Sequence, residues 1–241
     1  MQLDPILETI IRRIASRARV SEEDRTAIRS LPYSARAIEP SSYLVREGAQ
    51  PSRCAFLLSG FCYRQKLTSE GARQIVSIEI PGEFIDLHHL FLTESDHNVQ
   101  ALTRAHVAEI DAAALRELAL TRPAIGAALW IEALIGASIF REWIVNVGRR
   151  DAHSRVGHLL CELAVRLDIA NDTTNRAFDL PMTQEQLGDA VGLTPVHVNR
   201  VLRALAARNL ISRDRRQISI LDWDALRDAS DFNPRYLHLT A

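Results

Sequence analysis

The run from Met182 to Leu210, MTQEQLGDAVGLTPVHVNRVLRALAARNL, constrains this chain more than any other because it encodes two short helices and the turn between them. Thr183 followed three residues later by Gln186 is a capping-box signal, and Leu187, Ala190 and Val191 recur on one helical face. Gly192 tolerates the positive φ of a tight turn. A second helix then opens with Thr194 as N-cap and Pro195 at the first helical position, where no N–H is needed. Val198, Val201, Leu202 and Leu205 form its apolar stripe, with Val196, His197, Asn199, Arg200 and Arg203 towards the other side. This is a helix-turn-helix pattern.

The outward set suits a DNA groove. An arginine at position 200 offers a bidentate fork to guanine O6 and N7, Asn199 and His197 reach base edges or phosphates, and a helix N-terminus with the Thr194 hydroxyl suits a phosphate oxygen. An ordinary helical hairpin with a solvated basic face would show the same two helices. The sequel argues against that plainer reading: Arg213-Asp214-Arg215-Arg216 and the alternating Gln217-Ile218-Ser219-Ile220 read as a basic hairpin tip and a strand, the wing of a winged helix-turn-helix. From Thr183 to Leu221, six arginines (200, 203, 208, 213, 215, 216) face Glu185, Asp189 and Asp214, a local excess of three positive charges. The candidate DNA contacts are Thr183, Thr194, Val196, His197, Asn199, Arg200, Arg203, Arg213, Arg215 and Arg216.

That excess is hidden in a formal net charge of −1 over 241 residues, of which 47% are hydrophobic and 24% charged, a globular balance. Lys66 is the only lysine. The opening MQLDPILETIIRRIASRARV alternates like an amphipathic helix and shows no signal peptide, and no uninterrupted apolar run approaches a membrane span. Cys54, Cys62 and Cys161 are too few and scattered for a disulfide framework or tetrathiolate site. The expectation is a cytoplasmic protein with reduced thiols and no membrane partner.

Residues 1–32 read as two N-terminal helices, Pro5 to Arg19 and Ser21 to Ser30, the second with Asp24 in the capping-box position. From residue 33 to 110, glycines at 48, 60, 71 and 82 punctuate short β-rich runs, the signature of an antiparallel sandwich or barrel. Residues 111–150 hold a short helix capped by Asp111, a long one from Pro123 and a hinge at Arg149-Arg150-Asp151. Residues 151–241 complete the C-terminal domain, with a helix capped by Asp151 that places Cys161 in the core, a polar loop from Asn171 to Arg176, and a last helix capped by Asp222 or Asp224. The long helix is apolar on two sides, so both must be buried. Ile125, Leu129, Ile135, Ile139 and Trp143 are the candidate dimer interface, with Gly126, Gly136 and Ala137 permitting close approach.

This α+β layout resembles the bacterial CRP/FNR transcription regulators. Arg46-Glu47-Gly48, Leu58-Ser59-Gly60, Glu70-Gly71, Pro81-Gly82-Glu83-Phe84-Ile85, Val107-Ala108-Glu109-Ile110 and Gly192 through Arg200 stand where that family places similar residues, from about Tyr33 to Ile220. The resemblance implies an N-terminal jelly-roll, cyclic-nucleotide-binding-like β domain, a long dimerisation helix and a C-terminal winged helix-turn-helix in which Arg200 reads guanine. Val196 replaces a glutamate found in well-known members, which exchanges a cytosine contact for a thymine methyl.

The effector chemistry does not carry over. Where cyclic-AMP binders have Gly-Glu this chain has Asp86-Leu87, their phosphate-binding Arg-Ser becomes Ser95-Asp96, and their adenine-contacting Thr-Ser aligns with Phe140-Arg141. An acidic residue where an anion should sit, with no compensating cation, implies no useful cyclic AMP affinity. By analogy the effector pocket involves Phe84, Asp86, Leu87, Ser95, Asp96, Phe140 and Arg141. An iron–sulfur cluster held by four cysteines of one chain is impossible with three, and none precedes Cys54. Asp86, His88, His89, Asp96 and His97 raise a haem or metal site, but their spacing matches no metal motif, so the expectation is a polar loop edge with solvent-exposed imidazoles and no metal. With no phosphate loop, nucleophile elbow or zinc spacing, the chain reads as no enzyme and as needing no cofactor. The reading is a homodimeric regulator that binds double-stranded palindromic DNA under an unidentified small-molecule signal and meets RNA polymerase if it activates. The alternative is a ligand-binding module that gates a protein partner.

Overall fold

The computed structural model describes residues 4–168 and 176–239, so the loop expected from Asn171 lies, apart from Arg176, outside the described residues. Its contacts form two compact units, residues 4–65 with 78–137, and residues 66–77 with those from 138 onward. The expected boundary at residue 150 thus moves into the long helix.

In the first unit, α1 (Pro5–Ala15) starts where Asp4 accepts hydrogen bonds from the Ile6 and Leu7 N–H groups, and Leu7, Ile10, Ile11 and Ile14 form its buried stripe. α2 (Glu22–Arg29) carries the Ser21–Asp24 capping box. Eight strands follow: β1 (Tyr33–Ile38), β2 (Tyr43–Val45), β3 (Arg53–Ser59), β4 (Cys62–Leu67), β5 (Arg73–Glu79), β6 (Phe84–Ile85), β7 (Asn98–Ala101) and β8 (Ala105–Asp111). They make two four-stranded sheets, ordered β1-β8-β3-β6 and β2-β7-β4-β5. Gly48, Gly60, Gly71 and Gly82 all take positive φ, as the turn punctuation requires.

The pleat sends the two sides of β3 to two cores. Ala55 and Leu57 point between the sheets with Cys62, Val99 and Val107. Cys54 and Phe56 point to the helices with Ala108 and Ile110. The helical layer is α1, α3 (Ala112–Thr121, capped by Asp111) and the first part of α4 (Pro123–Arg149), whose 27 residues extend about 40 Å.

The expected dimer-interface residues Ile125, Leu129, Ile135, Ile139 and Trp143 are buried within the single chain. Ile125 and Leu129 join Ile14 and Leu115 in the helical core, and Trp143 donates its indole N–H to Glu162 at 3.0 Å. Gly126 is likewise used internally: a Cβ there would lie 2.3 Å from the Ala119 carbonyl oxygen, so the missing side chain lets α4 approach α3. The apolar side left exposed carries Trp130, Ile131, Leu134, Ile144 and Val145. By length and composition alone α4 would suffice to cross a bilayer, although Glu132 interrupts its apolar run. Its Glu132 is ion-paired with Arg13, at 2.7 Å, and with Arg17 of α1.

The second unit is built round α5 (Ala152–Arg166), which begins at the Asp151 cap and buries nine successive residues from Val156 to Ala164. Such all-round burial marks a central helix. It is touched by α6 (Gln184–Val191), α7 (Pro195–Ala207), α8 (Trp223–Ala229, capped by Asp222) and the turn Pro234–Leu237. β9 (Ala177–Asp179), β10 (Ile211–Asp214) and β11 (Gln217–Ile220) form a sheet ordered β10-β11-β9. Glu162 is fully buried and satisfied by Trp143, by Arg166 at 2.9 Å and by the Tyr236 hydroxyl at 2.7 Å. The tail, about which the sequence pattern says little, thereby supplies a core hydrogen bond.

His158 sits beside that network, edge-on to Phe232 and stacked on Tyr236. Burial, with Arg150 nearby, pushes it down to about 3, and the facing Glu142 is already bound by Arg150 at 2.6 Å. Only the unfolded chain therefore takes a proton there near neutrality. Its contribution is complete above pH ~6.5 and is lost as pH falls towards the folded value, at up to about 1.4 kcal/mol per pH unit. Urea unfolding between pH 7 and 5 should show this slope, and His158→Phe, which keeps the ring contacts, should flatten it.

Candidate nucleic-acid interface

The helix-turn-helix forms as its caps dictate. Thr183 Oγ1 accepts from the Gln186 N–H at 3.1 Å while the Gln186 side chain accepts from the Thr183 N–H at 2.9 Å. Gly192 ends α6 in the left-handed region at φ 67°, and Thr194 accepts from the His197 N–H to open α7 behind Pro195. Val198, Val201, Leu202 and Leu205 are buried against the unit. That fixes which side of α7 faces outward.

The structure exposes eight of the ten candidate contacts: Thr183, Thr194, Val196, Arg200, Arg203, Arg213, Arg215 and Arg216. His197 and Asn199 are half-buried at the edge of the stripe. Val196 is 71% exposed, an apolar side chain held in water with no internal role. The β10–β11 register pairs Asp214 with Gln217, so Arg215 and Arg216 form the tip of a two-residue hairpin. Arg213, Arg215 and Arg216 share one crevice with Thr183, bringing the wing and the start of α6 to a common surface.

Two arginines that the sequence pattern did not single out hold this surface in place. Arg155 of α5 donates to the Val191 carbonyl at 3.2 Å, bracing the turn. Arg73 pairs with Asp189 at 2.6 Å, and Gln74 donates to the Ala190 carbonyl at 3.3 Å. Asp189 is thus neutralised within its unit, which leaves the basic excess less opposed. No local spacing could have signalled these long-range pairings.

The effector candidates look different from their expectation. Phe84, Asp86 and Ser95 are buried, Leu87 is half-buried and Asp96 is exposed; Phe140 and Arg141 belong to the second unit, where Arg141 donates to Ser138 at 2.7 Å. Asp96, the acidic residue at the phosphate-binding position, meets His97 Nδ1 at 2.7 Å, and Asp86 is ion-paired as well. Arg64 Nε lies 2.9 Å from its Oδ1, Arg64 also meets Glu79 at 3.2 Å, and His97 Nε2 lies 2.9 Å from the same Oδ1. Burial would raise the Asp86 carboxyl, but Arg64 and His97 hold it well below the ordinary range. The imidazoles are not a solvent-exposed edge: His89 and His97 are buried and His88 is mostly covered. Strand alternation carried one clue, since Arg64 follows inward-facing Cys62 by two residues.

A β-roll unit and a winged helix-turn-helix unit with an outward arginine-rich face define a DNA-binding transcription regulator. Residues 35–122 match the family described as cyclic nucleotide-binding domain, and residues 154–229 match the Crp-like helix-turn-helix domain. A probable transcriptional activator of Rhizobium leguminosarum bv. viciae is 26% identical over 88% of this chain and 85% of its own. The nitrogen fixation regulation protein FixK of Rhizobium meliloti is 29% identical over 78% and 83%. The solved structure of FixK2 from Bradyrhizobium japonicum superposes with a TM-score of 0.75 at 21% identity, covering 83% of this chain and 98% of that one. The chain belongs to the CRP/FNR family of transcription regulators, which are not enzymes.

Arg215 stands at φ 52°, a region that favours glycine. An arginine there carries backbone strain that a glycine would relieve. Arg215→Gly should raise unfolding stability by about 0.5–1 kcal/mol while lowering affinity for all DNA sequences alike. Urea denaturation and fluorescence anisotropy on specific and random duplexes would read the two effects.

Proposed function

We propose that the protein acts as a homodimer that sets two α7 helices into successive major-groove faces of a palindrome. The observation that carries this reading is the outward face of α7, where Arg200 and Val196 project unpaired by any internal hydrogen-bond or packing role while the opposite stripe is buried. Arg200 reads guanine, Val196 packs on a thymine methyl, and His197 and Asn199 reach flanking edges or phosphates. Thr183, Thr194, Arg203, Arg213, Arg215 and Arg216 hold the backbone.

The exposed side of α4 supports dimerisation. Ala127, Ile131, Leu134, Arg141, Val145 and Gly148 are exposed at the four-and-three spacings of a two-helix coiled-coil seam, whose remaining position, Ser138, is buried within the chain, with Trp130 and Ile144 beside it. An apolar groove of about 800 Å³, lined by Leu87, Leu90, Phe91 and Trp130, continues that surface. A second copy covers both. The protein works in the cytoplasm, where its DNA is, and engages RNA polymerase when it activates. Cyclic AMP is not its signal, because Leu87 stands where the ribose glutamate would act and Asp96 where the phosphate-binding pair would. No iron–sulfur cluster serves either, since Cys54, Cys62 and Cys161 are all buried, with Cys62 and Cys161 pushed up to about 12.

Selection of bound duplexes from a random pool, without added ligand, tests the reading: a palindrome with half-site centres about one helical turn apart supports it, and no enrichment even with cell extract overturns it. Arg200→Ala should cost about 1–3 kcal/mol on the selected site and relax one base pair, whereas Arg213→Ala should weaken every sequence and reduce the salt slope by about one. Ile131→Glu with Leu134→Glu should sediment as a monomer and lose about 100-fold or more in palindrome affinity. A wild-type chain that stays monomeric at all concentrations would end the dimer reading.

A further inference from the structure

Asp86 is the centre of a cluster that DNA recognition does not use. It follows β6 with a left-handed backbone, φ 62°, and starts the tight turn Leu87–Leu90, so its carboxylate, His88 and His89 are brought together locally. His97 arrives from the loop before β7. Its Nε2 lies 2.9 Å from Asp86 Oδ1, and His88 Nδ1 lies 4.0 Å from that oxygen. One ligand atom from each of Asp86, His88 and His97 falls within 4.8 Å of the other two. His89 Nδ1 stands 4.0 Å from the other oxygen of Asp86. Asp86 Oδ2, His88 Nε2 and both ring nitrogens of His89 are buried without a hydrogen-bond partner among the described residues.

We propose that Asp86, His88 and His97 form a binding site for a divalent transition-metal ion of the zinc class. Two imidazoles and one carboxylate are the donor set that such borderline ions take; calcium and magnesium require more oxygens, and copper(I) prefers thiolates. Tetrahedral ligation at zinc-like bond lengths sets ligand atoms about 3.4 Å apart, and the distances of 2.9 and 4.0 Å bracket that value. His88 and His97, within 4.8 Å of each other, must also draw together to close the site.

The surroundings fit a dication. His97 Nδ1 lies 2.7 Å from the carboxylate of Asp96, the carboxylate–histidine arrangement that orients a metal-binding ring and raises its basicity. Binding replaces the proton on His97 Nε2, which leaves to solvent, and the Nδ1 proton stays on its bond to Asp96. Arg64 is shared between Glu79 and Asp86, and the three carboxylates Glu79, Asp86 and Asp96 together balance that guanidinium and a dication. Burial keeps His88 neutral, as a ligand must be. His88 also lines the apolar groove beside Leu87 and Trp130, and three protein donors leave a fourth position for water or a further ligand.

The test uses the full, untagged chain after chelator treatment, titrated with cobalt(II) and then with zinc(II) against a chromophoric chelator. One equivalent per chain, visible d–d bands of four-coordinate cobalt and displacement of cobalt by zinc are expected at micromolar or tighter affinity. His88→Ala and His97→Gln should each weaken binding at least tenfold. Asp96→Asn, a change at an exposed side chain that touches no metal, should weaken it on the order of 10- to 100-fold without altering the thermal melt of the metal-free protein. The proposal is overturned if the wild type binds no ion at tens of micromolar, or if all three variants bind as tightly as wild type.

Discussion

The internal use of one side of α4 decides what remains for every other purpose. A helix apolar on two sides can give only one to its own chain, and Ile125, Ala128 and Leu129 are fixed against Ile14, Phe56 and Leu115 by a continuous core. Ile135, Ile139 and Trp143 follow on the same side, and the last is tied by its indole nitrogen to a fully buried Glu162. Truncating a large residue on that side, Leu129 to Ala for example, would cost about 2–5 kcal/mol, because the cavity cannot collapse between packed layers. Trp130, Ile131, Leu134, Ile144 and Val145 are consequently left exposed among the described residues.

Local chemistry was highly legible in the sequence. Ser21, Asp111, Asp151, Thr183 and Thr194 all cap the helices that their spacing marks, and of the two candidates Asp222 and Asp224 it is Asp222 that caps α8, because a capping side chain needs only its own next turn. The turn glycines, the wing hairpin and the outward face of α7 follow from equally short-range rules. What failed involved choices between equivalent local patterns. Periodicity showed two apolar sides on α4 but held no information about which one the β domain would meet. The short strand β6 is only two residues long and offers no alternation to read.

The cluster around Asp86 was illegible for a related reason. Read along the chain, Asp86, His88, His89 and His97 are polar residues near turns. Their burial depends on β4 delivering Arg64 and on the loop before β7 folding His97 back across Asp86, and neither is encoded within a short window. The site that the family resemblance marked as unsuited to a cyclic nucleotide is thus filled by a charged network made by the chain itself. Asp96 is the acidic residue that the resemblance sets where an anion would sit; the unforeseen part is Asp86, ten residues earlier, whose charge is answered from within.

The exposed cations of α7 and the wing are arginines, with no lysine among them, since the only lysine, Lys66, precedes the hairpin turn of the β-roll. A guanidinium does not lose its proton at any physiological pH, and it is not a substrate for the acyl transfers that neutralise lysine amines. The positive charge of this surface is therefore permanent. Neither acidity nor acetylation can dim it, and control of the regulator must come from when and where that surface is presented.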